Sequence, residues 1–380
     1  MDGKLRSRME EILAAMSPKE QRGLTREADQ RRREAGRVAR ASGRKGLRGG
    51  GPQPTDPARE WMLALLAERH AHEERREDRF AVEQEVTLLG LSRGWCDAMT
   101  DEGEPLTCAL PVELPQAIAV GDRARVGQRE GGRWELAAVL PRTSRLSRPD
   151  PQDPLRERVL VANIDLVLIV CAAASPPLRP GLVDRLLVAI AMGGARPMLV
   201  VNKIDLAPPE LDELLAPYEA LGLPVLRVSV RTGQGIDALR ERLAGQLCAF
   251  VGHSGVGKSS LVNALDPEAR ILTGEVNERI GRGRHTTTAT KLHRLAGGVR
   301  IIDTPGVRSF GLWRVEPAQA AAFFPEIAEI AGACRYRDCL HDGEDGCAVD
   351  DAVETGTLAP ARLAGYRRIL GSLRLGPPSG

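Results

Sequence analysis

The order of two short segments constrains this chain more than any other feature. Asn202-Lys203-Ile204-Asp205 comes before Gly252-His253-Ser254-Gly255-Val256-Gly257-Lys258-Ser259. The second segment fits the phosphate loop G-x-x-x-x-G-K-[ST], whose backbone N–H groups cradle phosphates while the Lys reaches them and the Ser hydroxyl sits on Mg²⁺. The first fits N-K-x-D, in which the carboxylate reads a guanine edge. The usual order is phosphate loop first and base reader later. A chain with both in reverse must fold as a circular permutation.

The context of each motif agrees with that reading. Leu247-Cys248-Ala249-Phe250-Val251 is a short apolar run expected to form a buried strand, and Ser260 to Leu265 begins a helical pattern, giving strand, Gly loop and helix. Asn202 follows a second apolar run, Met198 to Val201, at the strand end where open α/β sheets bind ligands. Val225 to Ser229 is expected as a strand leading into Ser229-Val230-Arg231-Thr232-Gly233, a loop of the kind that backs a guanine. Val299 to Ile302 leads into Asp303-Thr304-Pro305-Gly306, the D-x-x-G switch, with Asp303 near Mg²⁺ and the Gly306 N–H free to meet a γ-phosphate. Between them lies Gly281-Arg282-Gly283-Arg284-His285-Thr286-Thr287-Thr288, from which Thr286 or Thr287 is expected to complete the Mg²⁺ shell. Five motifs in consistent order define a circularly permuted GTPase. Asn202, Lys203, Asp205, Ser229, Gly252 to Ser260 and Gly306 are its nucleotide-binding candidates, and Ser259, Thr286, Thr287 and Asp303 its magnesium ligands.

A second constellation follows. Cys334, Cys339, His341 and Cys347 are spaced C-x₄-C-x-H-x₅-C. Three thiolates and an imidazole make a closed tetrahedral Cys₃His site, which is structural rather than catalytic. Asp338, Asp342, Gly343, Asp345 and Gly346 make the loop too polar to fold by burial, so one Zn²⁺ per chain is expected there. Scattered thiols or a disulfide are the competing readings, and disulfides are rare in the cytosol where such GTPases work. Cys96, Cys108, Cys171 and Cys248 stand singly and are expected in the core.

Together these residues resemble the bacterial ribosome small-subunit-dependent GTPase A family (RsgA). The resemblance spans roughly residues 82 to 375 and rests on the permuted order, the G-R-G-R-H-T-T-T stretch, D-T-P-G-V-R-S-F-G-L and the C-x₄-C-x-H-x₅-C spacing. It implies a multidomain chain: an OB-fold β-barrel, an α/β circularly permuted phosphate-loop GTPase domain and a C-terminal zinc-binding helical region. It further implies ribosomal RNA and the small ribosomal subunit as partners, a role in late maturation of that subunit, and GTP hydrolysis to GDP and phosphate stimulated by it.

The expected domains are a basic, disordered or partly helical extension over 1–80, an OB-fold over 81–145, the GTPase domain over 150–315 and the zinc region over 316–380. Residues 1–50 hold fourteen Lys or Arg against seven Asp or Glu, which suits an arm that meets phosphates or merely solubilises. Pro57 to Arg79 is expected as a helix. Short β-like runs at Val86 to Leu89, Trp95 to Ala98, Ala124 to Val126 and Trp134 to Val139 fit a small barrel. Aromatic residues are scarce there, so base stacking is expected to be minor. Arg142, Arg145 and Arg148 would suit phosphates, with a plain linker as the alternative. Asp165 to Ala172 is expected as a fully covered parallel strand and Leu182 to Met192 as a helix on it. Arg308, Phe310 and Trp313 are expected to relay the switch state to the zinc region.

The longest apolar stretch, Val159 to Ala174, contains Asn163 and Asp165 and is too short to span a bilayer. Glu10 and Glu11 interrupt any secretory apolar run at the start. The expectation is a cytoplasmic monomer without membrane attachment.

Two other classes remain open. A phosphotransferase using ATP would share the phosphate loop, but Asp205 matches donors that adenine does not present. A non-catalytic RNA-binding module would not need Lys258, Ser259 and Asp303. One residue is missing from the ordinary catalytic set: position 307 is Val, where many GTPases carry a water-orienting Gln. His285 is the nearest alternative, since a neutral imidazole accepts a hydrogen bond from water at pH 7. The resembling family ties the matching His to subunit-stimulated hydrolysis.

Overall fold

The computed structural model describes residues 3–16, 24–25, 62–64, 66–67, 80, 82–111, 117–129, 131–150, 152–153, 156–266, 291–295, 298–303 and 311–375. It divides into two compact units, residues 1–82 with 128–131, and the remainder.

The first unit contains helix α1 (Gly3–Ala15) and helical turns at residues 24–25 and within 62–67. Met9, Leu13, Leu24, Leu63 and Leu66 are buried together, and the Thr25 hydroxyl lies 3.4 Å from Met62 Sδ. Helix was expected within 57–79, and residues 62–64 and 66–67 are helical; the other residues of that span lie outside the described ones.

The second unit begins with five strands: β1 (Val82–Ser92), β2 (Trp95–Thr100), β3 (Pro105–Ala109), β4 (Arg123–Gln128) and β5 (Trp134–Val139). They pair in the order β1-β2-β3-β5-β4 and close through β1 with β4. This is a five-stranded barrel of OB type. Alternate positions point inward, so Val86, Leu88, Cys96, Ala98, Cys108, Ala124, Val126 and Leu136 form its core. Cys96 and Cys108 are cross-strand partners inside it, and both are buried free thiols.

Strands β6 (Arg145–Pro149) and β7 (Glu157–Ala162) form a separate hairpin. Here one expectation needs correction. Arg142 is not a free phosphate ligand: its Nε donates to Asp122 Oδ1 at 2.7 Å, and Asp122 is fully buried. Asp122 also accepts from the Ala119 N–H at 2.7 Å, so the pair ties a loop of the barrel together. Arg145 pairs with Glu157 at 2.8 Å, while Arg148 stands opposite Arg158 in the hairpin.

The α/β layer follows. Its strands are β8 (Leu166–Ala172), β9 (Arg196–Asn202), β10 (Val225–Arg227), β11 (Leu247–Val251), β12 (Lys291–Arg294) and β13 (Arg300–Asp303). They lie in the order β10-β9-β8-β11-β13-β12, parallel except for β12. A contact of β12 with β1, Gly90 opposite Lys291, joins this sheet to the barrel. All seven residues of β8 are buried, as a parallel strand covered on both faces requires. The parity of its side chains separates two cores. Val167, Ile169 and Cys171 pack with α2 (Pro180–Gly193) and α3 (Leu211–Glu219). Leu166, Leu168, Val170 and Ala172 pack with α4 (Ile236–Leu243) and α5 (Lys258–Leu265).

The permutation is visible in the strand order. β11, which carries the phosphate loop, sits between strands made before it and strands made after it. Only Ala244-Gly245-Gln246 connect α4 to β11, closing the join that the permutation creates.

A 3₁₀ segment (Pro317–Phe323) then leads to α6 (Pro325–Ala331), α7 (Ala348–Glu354) and α8 (Pro360–Arg374). Phe324, Ile327, Val349, Leu363, Tyr366, Ile369 and Leu370 form a core that includes Val188 of α2. At this junction Arg362 makes an ion pair with Asp184, both at most 5% exposed, and its Nε donates to Glu326 at 2.7 Å. The Tyr218 hydroxyl donates to Asp184 at 3.1 Å. Burial pushes the Asp184 carboxyl up, and the Arg362 guanidinium opposes it. Removing one partner of such a pair costs about 3–5 kcal/mol. Gly365 permits the approach, because a Cβ there would stand 2.3 Å from Asp184 Oδ2.

Candidate nucleotide site and metal centre

The carboxyl ends of β8, β9, β11 and β13 line one edge of the sheet. Ala172 faces Asn202 across β8 and β9, and Phe250 faces Asp303 across β11 and β13. The phosphate loop leaves β11 and ends where α5 begins at Lys258. Its glycines are sterically required. A Cβ on Gly252 (φ +147°) would stand 2.1 Å from the Val170 carbonyl oxygen, and one on Gly257 (φ +95°) would stand 2.4 Å from Asn202 Nδ2. Lys258 curls back over the loop, donating to the carbonyls of Gly252 at 2.8 Å and His253 at 2.9 Å. Its ammonium therefore sits inside the cradle that a phosphate would fill. The His253 ring turns to the neighbouring Ser254 carbonyl at 2.8 Å, while Ser259 and Ser260 lie in the first turn of α5.

Asn202 ties the N-K-x-D segment to this loop. It is 2% exposed, its Nδ2 donates to the Val256 carbonyl at 2.9 Å, and its Oδ1 accepts from the Val230 N–H at 3.3 Å. One buried amide thus holds three segments together. Lys203, in left-handed backbone (φ 61°), donates to the Gly255 carbonyl at 2.8 Å and to the Ser175 carbonyl. Asp205 accepts from the Ser229 hydroxyl at 2.5 Å, and Arg231 Nε lies 2.8 Å from its other oxygen. The Ser229 hydroxyl, and beside it Arg231, hold the Asp205 carboxyl below the usual carboxylate range. Ser229 is fully buried and its N–H donates to the Gln234 carbonyl at 2.9 Å.

The structure thus brings Asn202, Lys203, Asp205, Ser229 and Gly252 to Ser260 to one edge. Asp303 ends β13 beside them by its backbone. His285, Thr286, Thr287 and Gly306 lie outside the described residues, as do Arg308 and Phe310. Trp313 is described, with the Arg314 guanidinium 5.1 Å from its ring centre.

The Cys/His cluster forms between α6 and α7. The ligand atoms of Cys334, Cys339, His341 and Cys347 lie within 4.8 Å of one another. His341 Nδ1 is 3.5 Å from Cys334 Sγ, 3.5 Å from Cys339 Sγ and 3.7 Å from Cys347 Sγ. A zinc tetrahedron with ordinary Zn–S and Zn–N bonds has S···N edges of about 3.6 Å. The donor set fits that ion, with Nδ1 as the ligating nitrogen. Burial lowers the His341 imidazole, keeping it in the neutral ligating form, and pushes the Cys339 thiol up to about 12.

Sequence reading missed the supports of this loop. Glu344 accepts from the N–H groups of Leu340 at 3.0 Å and Asp342 at 2.7 Å, and lies 3.5 Å from Cys339 Sγ. From α8, Tyr366 donates to the Leu340 carbonyl at 2.7 Å and Arg367 to the His341 carbonyl at 2.9 Å. The four other thiols behave as expected and are buried; burial pushes Cys171 and Cys248 each up to about 12. No helix among the described residues is long and apolar enough to cross a membrane.

A phosphate loop and an N-K-x-D segment on one edge of a largely parallel sheet, with the loop's strand following the N-K-x-D strand in the chain, define a circularly permuted GTPase. Known proteins agree. The RsgA GTPase family model matches residues 139–313. The small ribosomal subunit biogenesis GTPase RsgA of Gemmatimonas aurantiaca is 40% identical over 75% of this chain and 95% of its own length. Its counterpart in Azotobacter vinelandii is 45% identical over 71% of this chain and 79% of its own. The chain belongs to the RsgA family. Among solved structures, YjeQ from Thermotoga maritima aligns with a TM-score of 0.62 at 29% identity, covering 78% of this chain and all of that one. YloQ, a circularly permuted GTPase, shares the fold at a TM-score of 0.61 over 79% of this chain and 98% of its own.

Proposed function

We propose that this chain binds the small ribosomal subunit and assists its late maturation, hydrolysing GTP to GDP and phosphate when the subunit stimulates it. The observation that carries this reading is the Asn202 bridge, which ties the N-K-x-D segment, the phosphate loop and the Ser229 loop together. Membership in a family whose relatives are small-subunit biogenesis GTPases supports the subunit as partner.

In this reading Asp205 selects guanine by accepting from its N1–H and N2–H₂, while Ser229 orients the carboxylate. Gly252 to Gly257 present N–H groups to the phosphates, and Lys258 turns from its own loop carbonyls to the β- and γ-oxygens. Ser259, Asp303 and Thr286 or Thr287 would hold Mg²⁺, which neutralises charge on those oxygens when bound. The Gly306 N–H meets the γ-phosphate. Val307 cannot polarise water, so His285 accepts the hydrogen bond from the attacking water once the subunit brings it there. Cys334, Cys339, His341 and Cys347 would hold one Zn²⁺ as a structural centre. The accompanying expectations are a cytoplasmic monomer, ribosomal RNA as the surface contacted, and the domain spans 1–80, 81–145, 150–315 and 316–380.

GTP turnover measured with purified small subunits added or withheld tests the proposal. A large stimulation is expected. Equal rates with and without subunits, or equal affinity for GTP and ATP, would overturn it.

A further inference from the structure

Scarce aromatics argue against base stacking on the barrel, but position matters more than number. Trp95 opens β2 on the outer face of the barrel and is 42% exposed. The Arg133 guanidinium, just before β5, lies 4.5 Å from the centre of its ring. Arg93, two residues upstream in the β1–β2 turn, is also exposed. Between them Gly94 (φ +80°) leaves open space, with nothing within 4 Å of where a Cβ would stand. Trp134, by contrast, packs partly buried against the barrel core and serves as structure.

A single exposed apolar side chain is ordinary and implies nothing by itself. Here three features coincide: an open indole, a planar cation aligned on it, and a second cation beside it. They stand at the β1–β2 and β4–β5 connections and on the β2 face, the surface through which barrels of this topology take up single strands. Indole and guanidinium both offer flat faces to an unstacked base, and the charges meet its phosphates. Asp97, next along the same face of β2, limits the basic area on that side.

We propose that Trp95 and Arg133, flanked by Arg93, form a stacking site for an unpaired RNA base. The inference rests on the ribosomal RNA partner proposed above and names where one contact is made. A duplex keeps its bases stacked on each other, so this site discriminates single from double strands.

The test measures affinity of the full chain for a short single-stranded oligouridine and for an RNA duplex at one fixed salt concentration. Trp95→Ala should weaken single-strand binding about 10- to 100-fold and leave duplex binding within about two-fold. Trp95→Phe should retain most of the affinity. Arg133→Lys, which keeps charge but loses the plane, should weaken the single strand several-fold. Parent-like single-strand affinity in both Trp95→Ala and Arg133→Lys overturns the inference, as does an equal loss on duplex. If Trp95→Ala fails to fold, judged by GTP binding, then Trp95→Phe against Arg133→Lys decides alone. Subunit-stimulated turnover of the parent protein separates the two readings. Stimulation without any Trp95 effect sinks only the stacking site, and a Trp95 effect without stimulation sinks only the ribosomal assignment.

Discussion

The phosphate loop and the Cys/His loop are both short, polar and rich in ligand atoms, yet they are held in place by different means. The phosphate loop hangs between β11, buried at all five positions, and α5, whose Leu261, Val262 and Leu265 are buried under the sheet. Asn202 locks it from the side. Its shape therefore follows from the core beneath it. The Cys/His loop has no strand of its own; its backbone is held from within by Glu344 and from α8 by Tyr366 and Arg367. Four ligand atoms converge there that repel or compete unless a cation joins them. The first site is shaped by burial, whereas the second is expected to depend on an ion, because binding and folding of such loops are coupled.

That contrast predicts that the two loops fail independently. The largest effect is expected from His285→Ala, which should keep GTP affinity and zinc content but lower subunit-stimulated turnover about 10²–10⁴-fold, the range for general-base chemistry. Stimulation as strong as in the parent would mean that something else positions the water. Next comes Asp205→Asn. Losing a charge-assisted hydrogen bond of about 1.5–3 kcal/mol should weaken GTP roughly 10- to 150-fold and relatively favour xanthosine nucleotides. In the same titration Arg231→Ala sharpens the point. Arg231 is mostly exposed and competes for an Asp205 oxygen, so its removal should tighten GTP by no more than a few-fold. The smallest effect on nucleotide is the most telling one. Cys339→Ser should release the zinc and expose the C-terminal segment to protease, yet change GTP affinity by less than about two-fold. A parallel collapse of GTP binding would break the comparison and make the metal a support for both sites.

How much of the fold and site is legible in the sequence depends on whether the cause is local. β8, β9 and β11 can be read because burial on both faces leaves continuous apolar runs. β3 escapes notice: Pro105-Leu106-Thr107-Cys108-Ala109 is short, opens on a proline and has Thr107 as its one β-branched residue, and it becomes a strand because β2 and β5 flank it. The four zinc-type ligands announce themselves by spacing. Glu344 does not, because it acts through two backbone N–H groups. Arg142 misleads for a similar reason, since its partner Asp122 lies twenty residues away. Trp95 is undervalued by composition, which counts aromatics without saying which face they occupy.

Strand order also dictates a schedule. During synthesis β8, β9 and β10 emerge with α2 and α3, so the half that carries the N-K-x-D segment is complete first. One edge of β8, apolar along its whole length, must then wait for β11, which begins roughly 75 residues after β8 ends. At ordinary elongation rates that gap lasts on the order of 4–15 s. Throughout it the nascent protein displays the unpaired backbone edge of an apolar strand, the kind that recruits other chains. With the motif order reversed, this wait falls in the middle of the chain's own translation.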